Sequence, residues 1–117
     1  MKEFVMIFRS EVMPEVKFTP EGIVAISKQW ENWIGGIAAQ NKLAARGNRL
    51  GNDGKTVKPN NVITNGPYAE IKEMISGYIM VKADSIDEAA EMAKGCPILE
   101  VGGNVEVRDV VVMNFND

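Results

Sequence analysis

A chain of 117 residues with a formal charge of −3 at pH 7 fits one domain with a single hydrophobic core. Apolar residues make up 45% and charged residues 25%, the ordinary balance of a soluble globular protein. A nucleic-acid-binding protein would be expected to carry a basic stripe, and the sequence shows none. No apolar stretch is long enough to span a membrane, and the N-terminus reads as a strand rather than as a signal peptide.

The histidine and cysteine counts exclude several kinds of site. The sequence contains no histidine and one cysteine, Cys96. An imidazole–thiolate zinc site within one chain is therefore excluded, and so are a Ser-His-Asp triad and a Cys-His pair. We expect no metal and no organic cofactor, because the acidic residues are dispersed and no phosphate-binding or dinucleotide-binding motif is present. The single Cys96, followed by Pro97, predicts a buried, unreactive thiol and a reducing, cytoplasmic setting.

The first predicted elements are a strand and a long helix. The continuously apolar residues 4–8 predict a strand that is buried on both faces. Thr19 followed by Pro20 is typical of a helix start. The helix is predicted to continue to Arg46 and to stop at Gly47. Its apolar residues recur at spacings of three and four, as on one face of a helix. They are Ile23, Ile26, Trp30, Trp33 and Ile37.

Two tryptophans and two glycines within this helix carry further expectations. Trp30 and Trp33 lie on the apolar stripe, so a core position is favoured over an aromatic wall for a ligand. Gly35 and Gly36 together should cost about 2 kcal/mol relative to two alanines. A close approach of the helix to the sheet, or a kink, would offset that cost.

The remaining segments predict strands around a second helix. Residues 48–64 read as short strands, with a hairpin turn at Asp53-Gly54 and a second break at residues 59–61. A long strand is predicted from Ile75 to Ala83, and a final one from about Asn104 to Asn114. Between them, a helix starts with a capping box and stops near Gly95. The capping box is Ser85-Ile86-Asp87-Glu88, and the predicted buried positions are Ile86, Ala89, Ala90 and Ala93. The order β-α-β-β-α-β predicts an α+β, ferredoxin-like fold with an inserted hairpin.

The segment from Asn65 to Glu73 combines a rigid turn with a cluster of charged residues. Its candidate ligand-binding side chains are Asn65, Tyr68, Glu70, Lys72 and Glu73. A stiff turn beside charges, directly before a strand, suits the rim of a small-molecule site. A solvated, locally paired helix start would show the same residues, and the sequence leaves both interpretations open.

Further candidates lie on strands. Alternation places Arg9 on one face with Val5 and Ile7, and it groups Tyr78 with Met80. In the last strand Glu106 and Arg108 alternate with valines in the same way. Such mixed faces suit a partly polar cavity. The alternative is a strand end that emerges into solvent, which fits Arg9 better than Arg108.

The sequence resembles the YCII-related, or DGPF, domain family. That family's motif reads Asp-Gly-Pro-Phe-x-Glu-x-Lys-Glu followed by Gly-Gly-Tyr, and residues 65–73 and 76–78 match it with three substitutions. Asn65 replaces the Asp, Tyr68 the Phe and Ser76 the first Gly. The resemblance extends over nearly the whole chain, through Gly102-Gly103 and the last strand. It implies a ferredoxin-like fold whose sheets pair into a dimeric α+β barrel. The His and Asp proposed as a catalytic pair in some members cannot be carried over, because this chain has no histidine.

Two functions remain open at this point. The first is a small-molecule-binding protein or cofactor-free enzyme, with its cavity between the sheet and helix 1 and a carboxylate as the only available base. The alternative is a non-catalytic regulatory module, since the DGPF branch is associated with extracytoplasmic-function sigma factors. Neither nucleic acid nor membrane is an expected partner. The full set of candidate site residues is Arg9, Trp30, Asn65, Tyr68, Glu70, Lys72, Glu73, Tyr78 and Arg108.

We also expect a homodimer. The first strand is apolar on both faces, and so are residues 79–81 and 110–113. Two helices can cover only one face of a four-stranded sheet, so the second face would be left exposed on a monomer. An apolar patch of that size normally marks an interface.

Overall fold

The computed structural model describes residues 1–11, 19–51, 53–65 and 73–113. The described helices and strands, in chain order, are β1 (Lys2–Glu11), α1 (Pro20–Ala39), β2 (Leu43–Arg49), β3 (Lys55–Lys58), β4 (Val62–Asn65), β5 (Glu73–Ala83), α2 (Ile86–Ala93) and β6 (Asn104–Asp109). Short 3-10 helices occupy Pro59–Asn61 and Pro97–Val101.

The main sheet has the strand order β2-β5-β1-β6, and each neighbouring pair is antiparallel. β1 and β2 are therefore parallel to each other, with β5 between them. Strands β3 and β4, which lie between β2 and β5 in the sequence, form a separate two-stranded sheet. The structure confirms the predicted α+β class and is compatible with the ferredoxin-like arrangement.

Both helices lie on one side of the main sheet. Phe4, Met6 and Phe8 of β1 point to that side and are buried, and Ile79 and Val81 of β5 join them. The helices contribute Ile37, Ala89 and Ala93 to the same cluster. Alternate residues of each strand therefore face the helices, which is the period of two expected for a strand.

Both predicted helix starts are confirmed by their capping bonds. The Gly22 amide donates to Thr19 Oγ1 at 3.0 Å, and the Glu88 amide donates to Ser85 Oγ at 3.1 Å. Glu88 departs from the usual capping box, because its Oε2 accepts from the Asp84 amide instead of the Ser85 amide. In α2, Ala89 and Ala93 are buried as predicted, whereas Ile86 and Ala90 are exposed.

The predicted continuation of the first helix to Arg46 is wrong. The helix ends at Ala39, and Asn41 then adopts the left-handed conformation with φ 61°. Residues 43–49 form β2, because pairing with β5 overrides the local helical preference of Leu-Ala-Ala-Arg. Gly47 is a strand residue with φ 61°, and a Cβ there would collide with the Tyr78 carbonyl oxygen.

Two other boundaries also differ from the prediction. The turn of the β3–β4 hairpin is at Pro59–Asn61 and not at Asp53-Gly54, and it places Asn60 and Asn61 at positive φ. The last strand ends at Asp109 and not at Asn114. Asp109 pairs with Phe4, close to the start of β1, so little of β1 is left to pair with later residues.

Candidate functional site

The candidate site lies on the side of the main sheet that faces away from the helices. On β1 this side carries Val5, Ile7 and Arg9, the residues that alternate with the buried Phe4, Met6 and Phe8. Val5 and Ile7 are half-buried. We call this surface the helix-free face, and it also includes the residues of β5 and β6 that pair directly with these three.

The strand register brings polar residues from three strands onto the helix-free face. Ile7 lies between Glu106 of β6 and Tyr78 of β5. Val5 lies between Arg108 and Met80 in the next row. Because residues directly opposite each other in a sheet share a face, Arg9, Tyr78 and Arg108 are all on one surface. The apolar residues Val5, Ile7 and Met80 form its floor.

An ion pair crosses this face. Arg9 Nη1 donates to Glu106 Oε1 at 2.9 Å, and Arg108 Nη1 lies 4.0 Å from Glu106 Oε2. The Arg9 side chain is 26% exposed and that of Arg108 is 69% exposed. The alternative of a strand end in solvent therefore fits Arg108 better than Arg9. Its guanidinium is held down by Glu106, whereas Arg108 sits near the end of β6 and reaches outward.

Tyr78 has a neighbour that the sequence did not indicate. Asn48 of β2 is paired with Tyr78 across the strands, and its Nδ2 donates to Tyr78 Oη at a long 3.4 Å. Asn48 was missed because the preceding residues were assigned to a helix, so the β2 strand could not be aligned with β5. Glu106 was also absent from the candidate set, although its alternation with Val105 and Val107 was a usable signal.

Trp30 lies on the opposite side of the sheet from Arg9, Tyr78 and Arg108. Its ring packs edge-on against Phe8 with centroids 5.0 Å apart, and Trp33 completes the cluster at 5.8 Å from Trp30. The predicted core position of both tryptophans is confirmed, since both are half-buried against the core. The indole of Trp33 also donates from Nε1 to the Met92 carbonyl oxygen at 3.0 Å. Aromatic rings thus occupy the interface between α1 and the sheet. A cavity at that interface could not include Arg9, Tyr78 and Arg108, because they lie on the other side of the sheet.

Only the two ends of the turn motif, Asn65 and Glu73, are among the described residues. Asn65 ends β4 and its Oδ1 accepts from Lys55 Nζ at 2.9 Å within the hairpin. Tyr68, Glu70 and Lys72 lie outside the described residues. Glu73 begins β5 opposite Glu11, and only its backbone is described. The role of this motif as a binding rim therefore stays a prediction.

The titratable groups of the described residues include one strongly altered thiol. Burial raises the pKa of Cys96 to about 11, so the thiol is protonated and weakly nucleophilic at neutral pH. No group of three or more acidic or cysteine side chains within the described ranges could hold a metal ion. Around the Arg9–Glu106 pair, the helix-free face offers two guanidinium groups, one carboxylate and a phenol above an apolar floor. Such a set can bind and orient a polar molecule.

The model of the YCII-related domain family matches residues 13–114. The chain belongs to this family. The resemblance inferred from residues 65–78 is thereby confirmed, and the match covers both helices and every strand except β1. No match to this YCII-related protein was found among the curated proteins. Among its described helices, none is long and apolar enough to cross a membrane.

Proposed function

We propose that this YCII-related protein is a homodimer that binds a small molecule on the helix-free face of its sheet. The observation that carries the proposal is the composition of that face. Val5, Ile7 and Met80 are half-buried residues that no helix covers, and the Arg9–Glu106 pair stands beside them. A mixed surface of this kind is typical of ligand sites, where a few polar groups fix orientation above an apolar floor.

The charges of the face favour a ligand with an anionic group. Arg9 and Arg108 both approach Glu106, so two guanidinium groups share a single carboxylate. Arg108 is held only at 4.0 Å and is largely exposed, which leaves its donors available. Guanidinium groups bind carboxylates and phosphates in a bidentate geometry, so Arg108 is the expected anchor.

The geometry of the sheet supports the dimer. Both helices cover the same side, so a second copy is the natural cover for the other side. Two helix-free faces packed together would enclose the polar groups of both copies in a closed, mixed-polarity space. This is the dimeric α+β barrel that the family resemblance implies, and its cavity would lie between the two sheets.

Native mass spectrometry of the purified protein tests both parts of the proposal at once. We expect the mass of a dimer, with additional mass that is lost on denaturation and can be identified as a small molecule. Arg108→Met should raise the dissociation constant of the ligand about tenfold or more and so lower the bound fraction, because a charge-assisted hydrogen bond contributes about 1.5–3 kcal/mol. Lys28→Met, which removes an exposed charge from α1, is the matched control and should bind normally.

A monomer without bound ligand would overturn the proposal. A dimer that never carries a ligand would instead favour the non-catalytic interaction module, and the sigma factor expected from the resemblance would then be the first partner to test.

A further inference from the structure

The β3–β4 hairpin is a second uncovered apolar surface. Its strands pair with each other, and neither has more than a marginal contact with any other described helix or strand. Val57 and Ile63 face each other across the hairpin and are 70% and 60% exposed. A two-stranded hairpin alone is marginally stable in water, so this one needs a surface to pack against.

The hairpin is also positively charged. Lys55 is exposed, and the residues from Lys55 to Asn65 include no acidic side chain. Lys55 Nζ donates to the side chain of Asn65, which is neutral and leaves the lysine charge uncompensated there. A surface that covers the hairpin should therefore be apolar and negatively charged.

The 3-10 helix Pro97–Val101 has these properties. Leu99 and Val101 are 44% and 46% exposed, and the exposed Glu100 stands between them. Pro97 and Ile98 of the same helix are buried, which holds the segment rigidly on the domain. Three consecutive residues thus present two apolar side chains and one carboxylate to solvent.

The hairpin and the 3-10 helix lie at the same end of the main sheet but at opposite edges. The Leu50 amide, just before the hairpin, donates to the Ser76 carbonyl oxygen near the start of β5. Gly103, just after the 3-10 helix, packs against the Arg9 carbonyl oxygen near the end of β1. β1 and β5 are antiparallel, so the end of β1 lies beside the start of β5. The two contacts are therefore at the same end of the sheet. β2 and β6 are its two edges.

Symmetry relates these two surfaces in a face-to-face dimer. A two-fold axis parallel to the strands reverses the strand order, so β2 of one copy lies over β6 of the other while like ends of the sheets stay together. An in-plane axis perpendicular to the strands would place β2 over β2 and exchange the ends of the sheets, so each hairpin would lie far from the partner's 3-10 helix. Charge favours the parallel axis, which carries each hairpin toward the partner's Glu100.

We infer that the β3–β4 hairpin of one copy docks on the 3-10 helix Pro97–Val101 of a second copy. Val57 and Ile63 pack on Leu99 and Val101, and Lys55 approaches Glu100. The two-fold axis repeats this contact, so every dimer contains it twice. The inference rests on the homodimer proposed above and adds to it the segments that lock the two copies together.

Sedimentation equilibrium of matched valine variants tests the apolar part of this contact. Val57→Ser should raise the dimer dissociation constant about tenfold or more, because two valine contacts are lost in every dimer. The control is Val24→Ser on α1, where the valine is 67% exposed and so nearly as accessible as Val57. The control should leave the dissociation constant within about twofold of the wild type.

A charge exchange tests the electrostatic part. Lys55→Glu and Glu100→Lys should each weaken the dimer several-fold, and the double variant should restore most of the loss, since the opposite charges then face each other again. Recovery in the double variant is a result that a purely local role of either residue would not produce.

The failures of the two proposals can be distinguished. A wild-type protein that stays monomeric would remove the homodimer and the hairpin contact together. A wild-type dimer whose dissociation constant is unchanged in Val57→Ser and Lys55→Glu would overturn the hairpin contact alone.

Discussion

The two faces of the β2-β5-β1-β6 sheet are built from alternate residues of the same strands, yet they differ in what they bury. On β1, Met6 faces the helices and is fully buried, while its neighbour Ile7 is half-buried on the helix-free face. The helical side is apolar throughout the described core, whereas the other side mixes apolar residues with the Arg9–Glu106 ion pair.

We propose that this difference separates stability, on the helical side, from binding, on the helix-free face. The helical side excludes water with aliphatic side chains and the aromatic cluster of Phe8, Trp30 and Trp33, which is what a core requires. A core gains nothing from an arginine, because desolvating a charge costs more than an exposed pair returns. The charged groups of the helix-free face are compatible with the ligand and the second copy proposed for that face.

Truncation of neighbouring β1 residues gives the largest expected contrast between the faces. Met6→Ala should lower the free energy of unfolding by about 2–5 kcal/mol, because it leaves a cavity in the core. Ile7→Ala should cost about 1 kcal/mol in the monomer and should also weaken the dimer. Urea unfolding over a range of protein concentrations separates the two effects. Equal losses at low concentration would mean that both faces are core.

Glycine-to-alanine substitutions test whether the helical side of the molecule is packed only where it faces the sheet. A Cβ at Gly103 would lie 2.6 Å from the Arg9 carbonyl oxygen, so Gly103→Ala should destabilise by about 1–3 kcal/mol. Gly36 on α1 is exposed and a Cβ there would meet nothing within 4 Å. Gly36→Ala should therefore raise the free energy of unfolding by about 1 kcal/mol. A destabilised Gly36→Ala would reveal a contact on the outer side of α1.

A third test of the helical side concerns the hydrogen bond of the Trp33 indole. Trp33→Phe removes the bond from Nε1 to the Met92 carbonyl oxygen and part of the ring volume. Trp30→Phe removes a similar volume, and no hydrogen bond of the Trp30 indole is found among the described residues. We expect Trp33→Phe to be less stable than Trp30→Phe by about 1 kcal/mol in chemical unfolding. Equal effects would show that the bond contributes nothing beyond packing.

The smallest expected effect concerns pH. The Lys42 ammonium, which donates to Glu88 Oε1 at 2.7 Å, and the Asp84 amide lower the pKa of the Glu88 carboxyl below 4.5. The folded state therefore binds this proton less readily than the unfolded state. Its stabilising contribution is present above about pH 5 and is lost as the pH falls through the lowered value.

Glu88→Gln should accordingly make the decline of the urea midpoint below about pH 5 shallower. Glu91→Gln is the control, because Glu91 pairs with Lys94 at an exposed site. An identical acid profile in Glu88→Gln and the wild type would show that Lys42 and Asp84 do not stabilise the folded carboxylate.

Local signals predicted the parts of the fold that depend on local contacts. Thr19 and Ser85 each accept a bond from an amide three residues later, so a short sequence pattern is enough to locate both helix starts. The long strand β5 and the alternation of β6 followed from periodicity alone. Composition was equally decisive for chemistry, since a chain without histidine can form neither a Ser-His-Asp triad nor an imidazole–thiolate zinc site.

Contacts between distant residues decided the rest. The segment Leu43–Arg49 has helical propensity, and only its pairing with β5 makes it a strand. Arg9 and Glu106 are 97 positions apart, so their ion pair depends on β1 and β6 being neighbours in register. The sequence by itself determined the helix starts, the strands β1, β5 and β6, and the polar candidates on those three strands. The tertiary structure decided which of them share a face, because register is set by long-range pairing, for which short-range patterns carry no information.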